Sequence, residues 1–198
     1  YAFLKVCGRF AVPLPMSEII LGHSWGLGSL APCAGLISIG RAYGATAIQV
    51  PWGRRAARVF AVQAESLDVT VTDAPVIAQE DINMAGEPRD SVAMGGQLQH
   101  IVLADDPFAQ MALARTNLMA GTLQAVLDLG LQFAAEREQF GRSISKFQAI
   151  QHSLAVVAAE VAAAQRAADA GVDALGSDRF IAEVAASKAR VGEAVGIV

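Results

Sequence analysis

The residues best suited to chemistry lie in one stretch of the C-terminal half, and the first of them is Arg137. A guanidinium suits a diphosphate, because its fork of N–H donors is planar and always charged. Phe140, Gly141, Ile144 and Gln148 follow at defined spacing. The alternative interpretation is structural: an arginine lies near the carbonyls of its own helix end, and the phenylalanine belongs to the core.

The local signals predict that this stretch joins two helices. Gly141 is the residue type that accepts the positive φ needed after many helix C-termini. Ser145 and Gln148 have the S-x-x-Q spacing of a capping box, which marks the start of a helix. The expected arrangement is therefore a helix, a tight turn at Gly141 and a second helix capped by Ser145.

The same residues resemble the R-x-x-F-G-x-x-[IL]-x-x-x-Q signature of the acyl-CoA dehydrogenase family. The resemblance implies that the stretch belongs to a C-terminal helical bundle and reaches across a subunit interface to the FAD of a neighbouring subunit. Arg137 would contact the pyrophosphate. The adenosine end would be lined by Gln139, Phe140, Ile144, Phe147 and Gln148.

The resemblance also implies an activity, the α,β-dehydrogenation of an acyl-CoA thioester with hydride transfer to FAD. The reaction needs a glutamate as base. One of the two family positions for it immediately precedes an arginine that matches Arg115, and here it is Ala114, which cannot take a proton. The other position lies beyond Val198, so no catalytic residue is assigned. Arg115 is the candidate substrate-binding residue; its alternative is a bundle arginine paired with an acid.

A second hypothesis comes from a motif that the chain lacks. The family's T-E-P-x-x-G-S-D segment, which helps to bind flavin and substrate, has no match. Residues 30–35 occupy its approximate place without a glutamate, serine or aspartate. The alternative function is therefore a non-catalytic, dehydrogenase-like subunit of a hetero-oligomer that completes the FAD site of a partner.

The elements that would position these residues predict an α+β multidomain fold. Residues 1–30 resemble the end of an N-terminal helical domain. Residues 31–105 carry short alternating strands, such as Arg58 to Gln63 and Leu67 to Thr72, which favour a small antiparallel β-barrel. Residues 106–198 are helical, beginning with a helix from Pro107 to Arg137, and predict an antiparallel four-helix bundle.

Composition narrows the classes of partner, ligand and cellular location that remain. The 198 residues are 54% hydrophobic and 17% charged, with a net charge of −4, which gives no reason to expect nucleic acid as a partner. No apolar run predicts a membrane span, and no cysteine or histidine has metal-ligand spacing. Two lone cysteines indicate a reducing, cytoplasmic location. The missing initiating Met and the unterminated helical pattern at Val198 predict a fragment.

The resemblance to the family implies an acyl-CoA dehydrogenase that takes an acyl-CoA from fatty acid or steroid catabolism. It also implies a homo- or hetero-oligomer, a dimer or tetramer, in which FAD is shared across the interface.

Overall fold

The computed structural model describes residues 1–198, and their elements divide between two units. The sheet unit is Pro13–Met111, and the helical unit combines Tyr1–Val12 with Ala112–Val198. These units differ from the three predicted segments, so the domain boundaries near residues 30 and 105 stay predictions. The helices are α1 Ala2–Arg9, α2 Met16–Gly26, α3 Pro107–Glu136, α4 Gln148–Asp173 and α5 Phe180–Ile197. The strands are β1 Leu36–Tyr43, β2 Thr46–Pro51, β3 Ala56–Gln63, β4 Val69–Thr72, β5 Ala74–Gln79, β6 Arg89–Gly95, β7 Gln99–Ile101, β8 Glu138–Gln139 and β9 Arg142–Ser143.

Strands β1 to β7 form one sheet in the order β5-β6-β2-β1-β3-β4-β7. All neighbouring pairs are antiparallel except β1 and β3, which run parallel. The sheet curls, since Thr72 Oγ1 on β4 donates to Gly95 O at the end of β6, 2.5 Å away, although the two strands are not neighbours. The predicted mixed fold, with an antiparallel-rich sheet followed by long helices, is confirmed.

Small and β-branched side chains fill the core of the sheet unit. The fully buried cluster comprises Ala42, Ala47, Val50, Val59, Ala61 and Val92. Helix α2 covers β1, and Gly22 permits the close approach, because a Cβ there would lie 2.3 Å from Ile37 Cγ2. The first turns of α3 are held to the same unit by Trp25, whose Nε1 donates to Gln110 Oε1 at 2.6 Å.

Two arginine–aspartate pairs strengthen the sheet unit. Arg58 donates two hydrogen bonds to Asp73, and the pair holds the pKa of the aspartate below its usual value. Burial raises the pKa of Asp90, but hydrogen bonds from the side chain and backbone of Arg54 outweigh it and lower the pKa. Both aspartates are therefore ionised at neutral pH.

The helical unit packs three long helices with α1. Its buried cluster comprises Leu123, Leu127, Val161, Ala164, Val191 and Ala194, from α3, α4 and α5. Helix α1 lies directly on α3: a Cβ on Gly8 would lie 2.0 Å from Leu118 O, and a Cβ on Gly121 would lie 1.9 Å from Lys5 O. Lys5 also forms a 2.6 Å ion pair with Asp169 on α4.

Helix α3 is long and apolar enough to cross a membrane by length and composition alone. Core helices of soluble proteins pass the same test, and α3 contributes Leu123 and Leu127 to the buried cluster. The expectation of no membrane partner stays a prediction.

Candidate functional site

The signature stretch forms a β-hairpin between α3 and α4. Strands β8 and β9 pair through Glu138 with Ser143 and Gln139 with Arg142, which leaves Phe140 and Gly141 as a two-residue turn. Phe140 has φ 53° and Gly141 has φ 74°, the positive values that a type I′ turn requires at both central positions.

Two local predictions about this stretch are wrong. Helix α3 ends at Glu136, so the positive φ of Gly141 serves the hairpin turn and not a helix C-terminus. Ser145 does not cap α4, which begins at Gln148 without a side-chain cap. Instead Ser145 lies in a short 3-10 turn, where its backbone N–H donates a hydrogen bond to Ser143 Oγ.

The hairpin is fixed to the end of α3 by hydrogen bonds. Ser143 Oγ donates to Ala134 O at 2.8 Å. The backbone N–H of Ile144 donates to Arg137 O at 2.8 Å, which extends the hairpin ladder by one step. The backbone N–H of Arg137 in turn donates to Phe133 O at 2.9 Å. The turn residues are therefore presented on a rigid base.

Three of the six predicted cofactor residues fall on one face of this hairpin. Because side chains alternate along a strand, Arg137 and Gln139 lie on the same face, and their cross-strand neighbours Ile144 and Arg142 share it. Glu138 lies on the opposite face. The hairpin therefore brings Arg137, Gln139 and Ile144 together, although the helix–turn–helix that was expected to position them is absent.

The two phenylalanines form an aromatic pair at the end of the hairpin. Phe140 and Phe147 meet edge to face, with ring centres 6.2 Å apart. The Arg142 guanidinium lies over the Phe147 ring, 4.3 Å from its centre. Phe140 is 91% exposed, although its side chain is hydrophobic. Its backbone is left-handed, a conformation that phenylalanine rarely adopts. Gln148, the first residue of α4, is also exposed.

Arg142 is a residue of this hairpin face that sequence reasoning missed. It occupies an unspecified position of the signature, and its place on the face depends on the cross-strand pairing with Gln139. The only signal in the sequence is a second arginine five residues after Arg137. In a helix–turn–helix this spacing would not bring the two arginines together. In a hairpin with a two-residue turn it puts both on one face.

Arg115 lies apart from the hairpin. It is on α3, 22 residues before Arg137, which corresponds to roughly 33 Å along a helix at about 1.5 Å per residue. With Met119 and Leu123 it lines an apolar groove of about 330 Å³ between α3 and α5. Its role in substrate binding stays a prediction.

The structure also describes the two features that weigh against catalysis, Ala114 and the segment 31–35. Ala114 is fully buried in the N-terminal third of α3 and carries no titratable group. Residues 31–35 form an irregular, largely exposed segment before β1, with no carboxylate or hydroxyl side chain. Arg58 Nη1 donates to Ala31 O at 2.8 Å, so this segment is tied to the sheet through its backbone.

Comparison with known proteins supports the interpretation of the signature. The acyl-CoA dehydrogenase C-terminal domain matches residues 103–198. The probable acyl-CoA dehydrogenase YngJ of Bacillus subtilis is 54% identical over 44 residues, which is 22% of this chain and 12% of that protein. The C-terminal half of the chain, residues 103–198, is therefore similar to the C-terminal domain of acyl-CoA dehydrogenases.

Solved structures share the fold over almost the whole chain. The ChsE4-ChsE5 complex from Mycobacterium tuberculosis aligns with a TM-score of 0.77 at 17% identity, covering 98% of this chain and 65% of that one. The steroid acyl-CoA dehydrogenase Tcur3481-Tcur3483, as its G363A variant, aligns with a TM-score of 0.73 at 17% identity, covering 98% of this chain and 68% of that one. The chain spans about two thirds of these structures and a small part of the curated relative.

Proposed function

We propose that this chain is a subunit of a flavin-dependent acyl-CoA dehydrogenase and that the β8–β9 hairpin binds the ADP half of FAD. The observation that carries the proposal is the exposed hairpin, which presents Arg137 and a strained Phe140 on a base fixed by hydrogen bonds. The reaction would be the α,β-dehydrogenation of an acyl-CoA thioester, with a fatty acyl or steroid acyl group.

The residues present fit the ADP half of FAD. Arg137 makes no side-chain hydrogen bond or ion pair within the chain, so its donors remain available to a diphosphate. The exposed Phe140 ring, which meets Phe147 edge to face, offers an apolar surface to an adenine. FAD, when bound, supplies the acceptor for the hydride removed from the acyl chain. The contribution of this hairpin is to bind and orient the distant, non-reacting end of the cofactor.

The exposure of the hairpin supports a site shared between subunits. A nucleotide site normally encloses most of its ligand, whereas Phe140, Arg137 and Gln139 are all exposed in the single chain. A second chain, either another copy or a related subunit, would therefore supply the rest of the site in a homo- or hetero-oligomer. A cytoplasmic location is part of the same proposal.

The alternative function is a non-catalytic subunit that completes the FAD site of a partner. The buried Ala114 and the segment 31–35 without carboxylate or hydroxyl side chains favour it. The two functions are distinguished by anaerobic addition of short-chain, long-chain and steroid acyl-CoAs to the purified protein. Bleaching of a flavin spectrum by the protein alone supports the complete enzyme, whereas bleaching only after a partner subunit is added supports the alternative.

The proposal is tested by Arg137→Ala. Loss of a charge-assisted contact of about 1.5–3 kcal/mol is expected to weaken FAD binding by about 10- to 100-fold in the assembled oligomer. FAD retention after gel filtration, read from the visible spectrum, measures the effect. Arg166→Ala is the control, because Arg166 is 72% exposed and only weakly paired with Asp173 at 3.6 Å. Equal FAD retention in both variants would contradict the proposed site.

A second prediction separates binding from stability at Phe140. The left-handed backbone costs a non-glycine residue about 1–2 kcal/mol, so Phe140→Gly is expected to keep the free energy of unfolding or raise it by up to about 1 kcal/mol. Loss of the ring is expected to weaken FAD binding by about 10-fold, since stacking on a base contributes about 1–3 kcal/mol. Urea unfolding and FAD titration measure the two effects.

The control for this variant is Leu67→Gly in the sheet unit. Leu67 also has a positive φ, 63°, and lies in the turn before β4. This substitution is expected to relieve strain without changing FAD affinity. If Phe140→Gly binds FAD as tightly as Leu67→Gly does, the ring has no part in the site.

A further inference from the structure

Strand pairing places Arg142 on the face of the hairpin that carries Arg137, Gln139 and Ile144, the binding face. It lies directly opposite Gln139, and the alternation of side chains puts it on the face that also carries Arg137. The negatively charged Glu138 projects from the other face. The binding face therefore carries two guanidinium groups and no carboxylate from the hairpin strands.

The Arg142 side chain is oriented by an aromatic ring and leaves its donors unused. Its guanidinium carbon lies 4.3 Å from the centre of the Phe147 ring. It makes no hydrogen bond and no ion pair within the chain. Other arginines of this protein do pair: Arg54 with Asp90, Arg58 with Asp73 and Arg190 with Glu160.

A stacked guanidinium with unused donors is suited to an anion. Stacking on the face of a ring leaves the N–H groups pointing outward in the plane of the guanidinium, where a phosphate can accept two of them. The contact with Phe147 also restricts the side chain before a ligand arrives, so less conformational entropy is lost on binding. The hairpin thus carries a second, partly ordered cation beside Arg137.

We propose that Arg142 is a second diphosphate-binding residue of the hairpin site, held ready by its stacking on Phe147. The ligand class is a nucleotide with an adenosine diphosphate end. The inference rests on the proposed function, because it assigns Arg142 to the same nucleotide site. It goes further in stating that two guanidinium groups, one from each side of the hairpin, bind the phosphates.

The test compares ADP and adenosine as competitors of FAD in the assembled protein. Arg142→Met keeps an unbranched side chain against Phe147 and removes the charge. It is expected to raise the ADP dissociation constant by about 10-fold or more and to leave adenosine unchanged, because only ADP carries the phosphates. The decrease of ADP affinity with salt is expected to become shallower. Arg142→Lys, which keeps the charge without the fork, is expected to fall between wild type and Arg142→Met.

Lys146→Met is the matched control, since Lys146 is an exposed cation in the 3-10 turn after the hairpin. An ADP affinity of Arg142→Met equal to that of Lys146→Met would overturn the proposal while the proposed function stands. Equal weakening of ADP and adenosine would also overturn it, because Arg142 would then act only by holding the rings. A wild-type protein that binds neither FAD nor ADP would remove the proposed function itself.

Discussion

Gly121→Ala is expected to lower the free energy of unfolding of the helical unit by about 1–3 kcal/mol or more. The added methyl group would meet Lys5 O at 1.9 Å and the Lys5 carbonyl carbon at 2.7 Å, both of which are backbone atoms that cannot rotate away. Helix α1 would have to move off α3. Urea unfolding followed by circular dichroism measures the change, and proteolysis near α1 reports its release.

Gly130→Ala is the control within the same helix. A Cβ at Gly130 would meet only Leu154 Cδ2, at the ordinary contact distance of 3.8 Å. Alanine is the better helix former by about 1 kcal/mol, so this variant is expected to be neutral or more stable. If the two alanine variants unfolded at the same urea concentration, the close packing of α1 on α3 would be contradicted.

Asp90→Ala is expected to destabilise the sheet unit by about 2–4 kcal/mol, somewhat less than removal of one partner of a fully buried ion pair. Asp90 is 0% exposed and accepts hydrogen bonds from Arg54 N at 2.7 Å, from Arg54 Nη2 at 2.6 Å and from Asp81 N at 3.2 Å. Its removal leaves the backbone N–H groups of Arg54 and Asp81 without this acceptor, and the Arg54 guanidinium keeps only Glu80 and the Asp81 carbonyl oxygen. The estimate is reduced because the Arg54 side chain is 28% exposed.

The matched control removes the other carboxylate that contacts Arg54. Glu80 Oε2 lies 2.7 Å from Arg54 Nη1, but its side chain is 65% exposed. Exposed ion pairs contribute about 0–1 kcal/mol, so Glu80→Ala is expected to change stability little. A loss of stability in Glu80→Ala as large as in Asp90→Ala would show that burial of the Asp90 carboxylate is not what makes it important.

The long elements of the fold were predictable from sequence because their periodicity is strong. Apolar residues at helical spacing predicted a helix from Pro107, and period-two alternation predicted β3 and β4. Strand β6 was missed, because the nearby Pro88 and Gly95 indicated turns and because a buried Asp90 does not look like a strand residue. Its burial depends on Arg54, which lies 36 residues earlier in the chain.

The signature indicated residues of the candidate site, but nothing in the sequence indicated the hairpin that positions them. The signature spacing selected Arg137 and Phe140, whereas the two-residue strands of the hairpin are too short to produce a periodic pattern. Phenylalanine is also an improbable residue for a left-handed position, so no turn signal marked Phe140. The position of Arg142 beside Arg137 follows only from the strand pairing. The close approach of Gly121 to Lys5 joins two segments far apart in the chain, which no local pattern connects.

The discontinuous helical unit has a consequence for the order of events during synthesis. Gly121, against which α1 packs, follows α1 about 110 residues later in the chain, which takes roughly 5–20 s at bacterial and eukaryotic elongation rates. The sheet unit lies wholly within that interval. Its strands can therefore pair first, while α1, whose Leu4 and Cys7 side chains are buried in the folded unit, waits without a docking surface. During that interval the face of α1 that packs on α3 has no partner from its own unit.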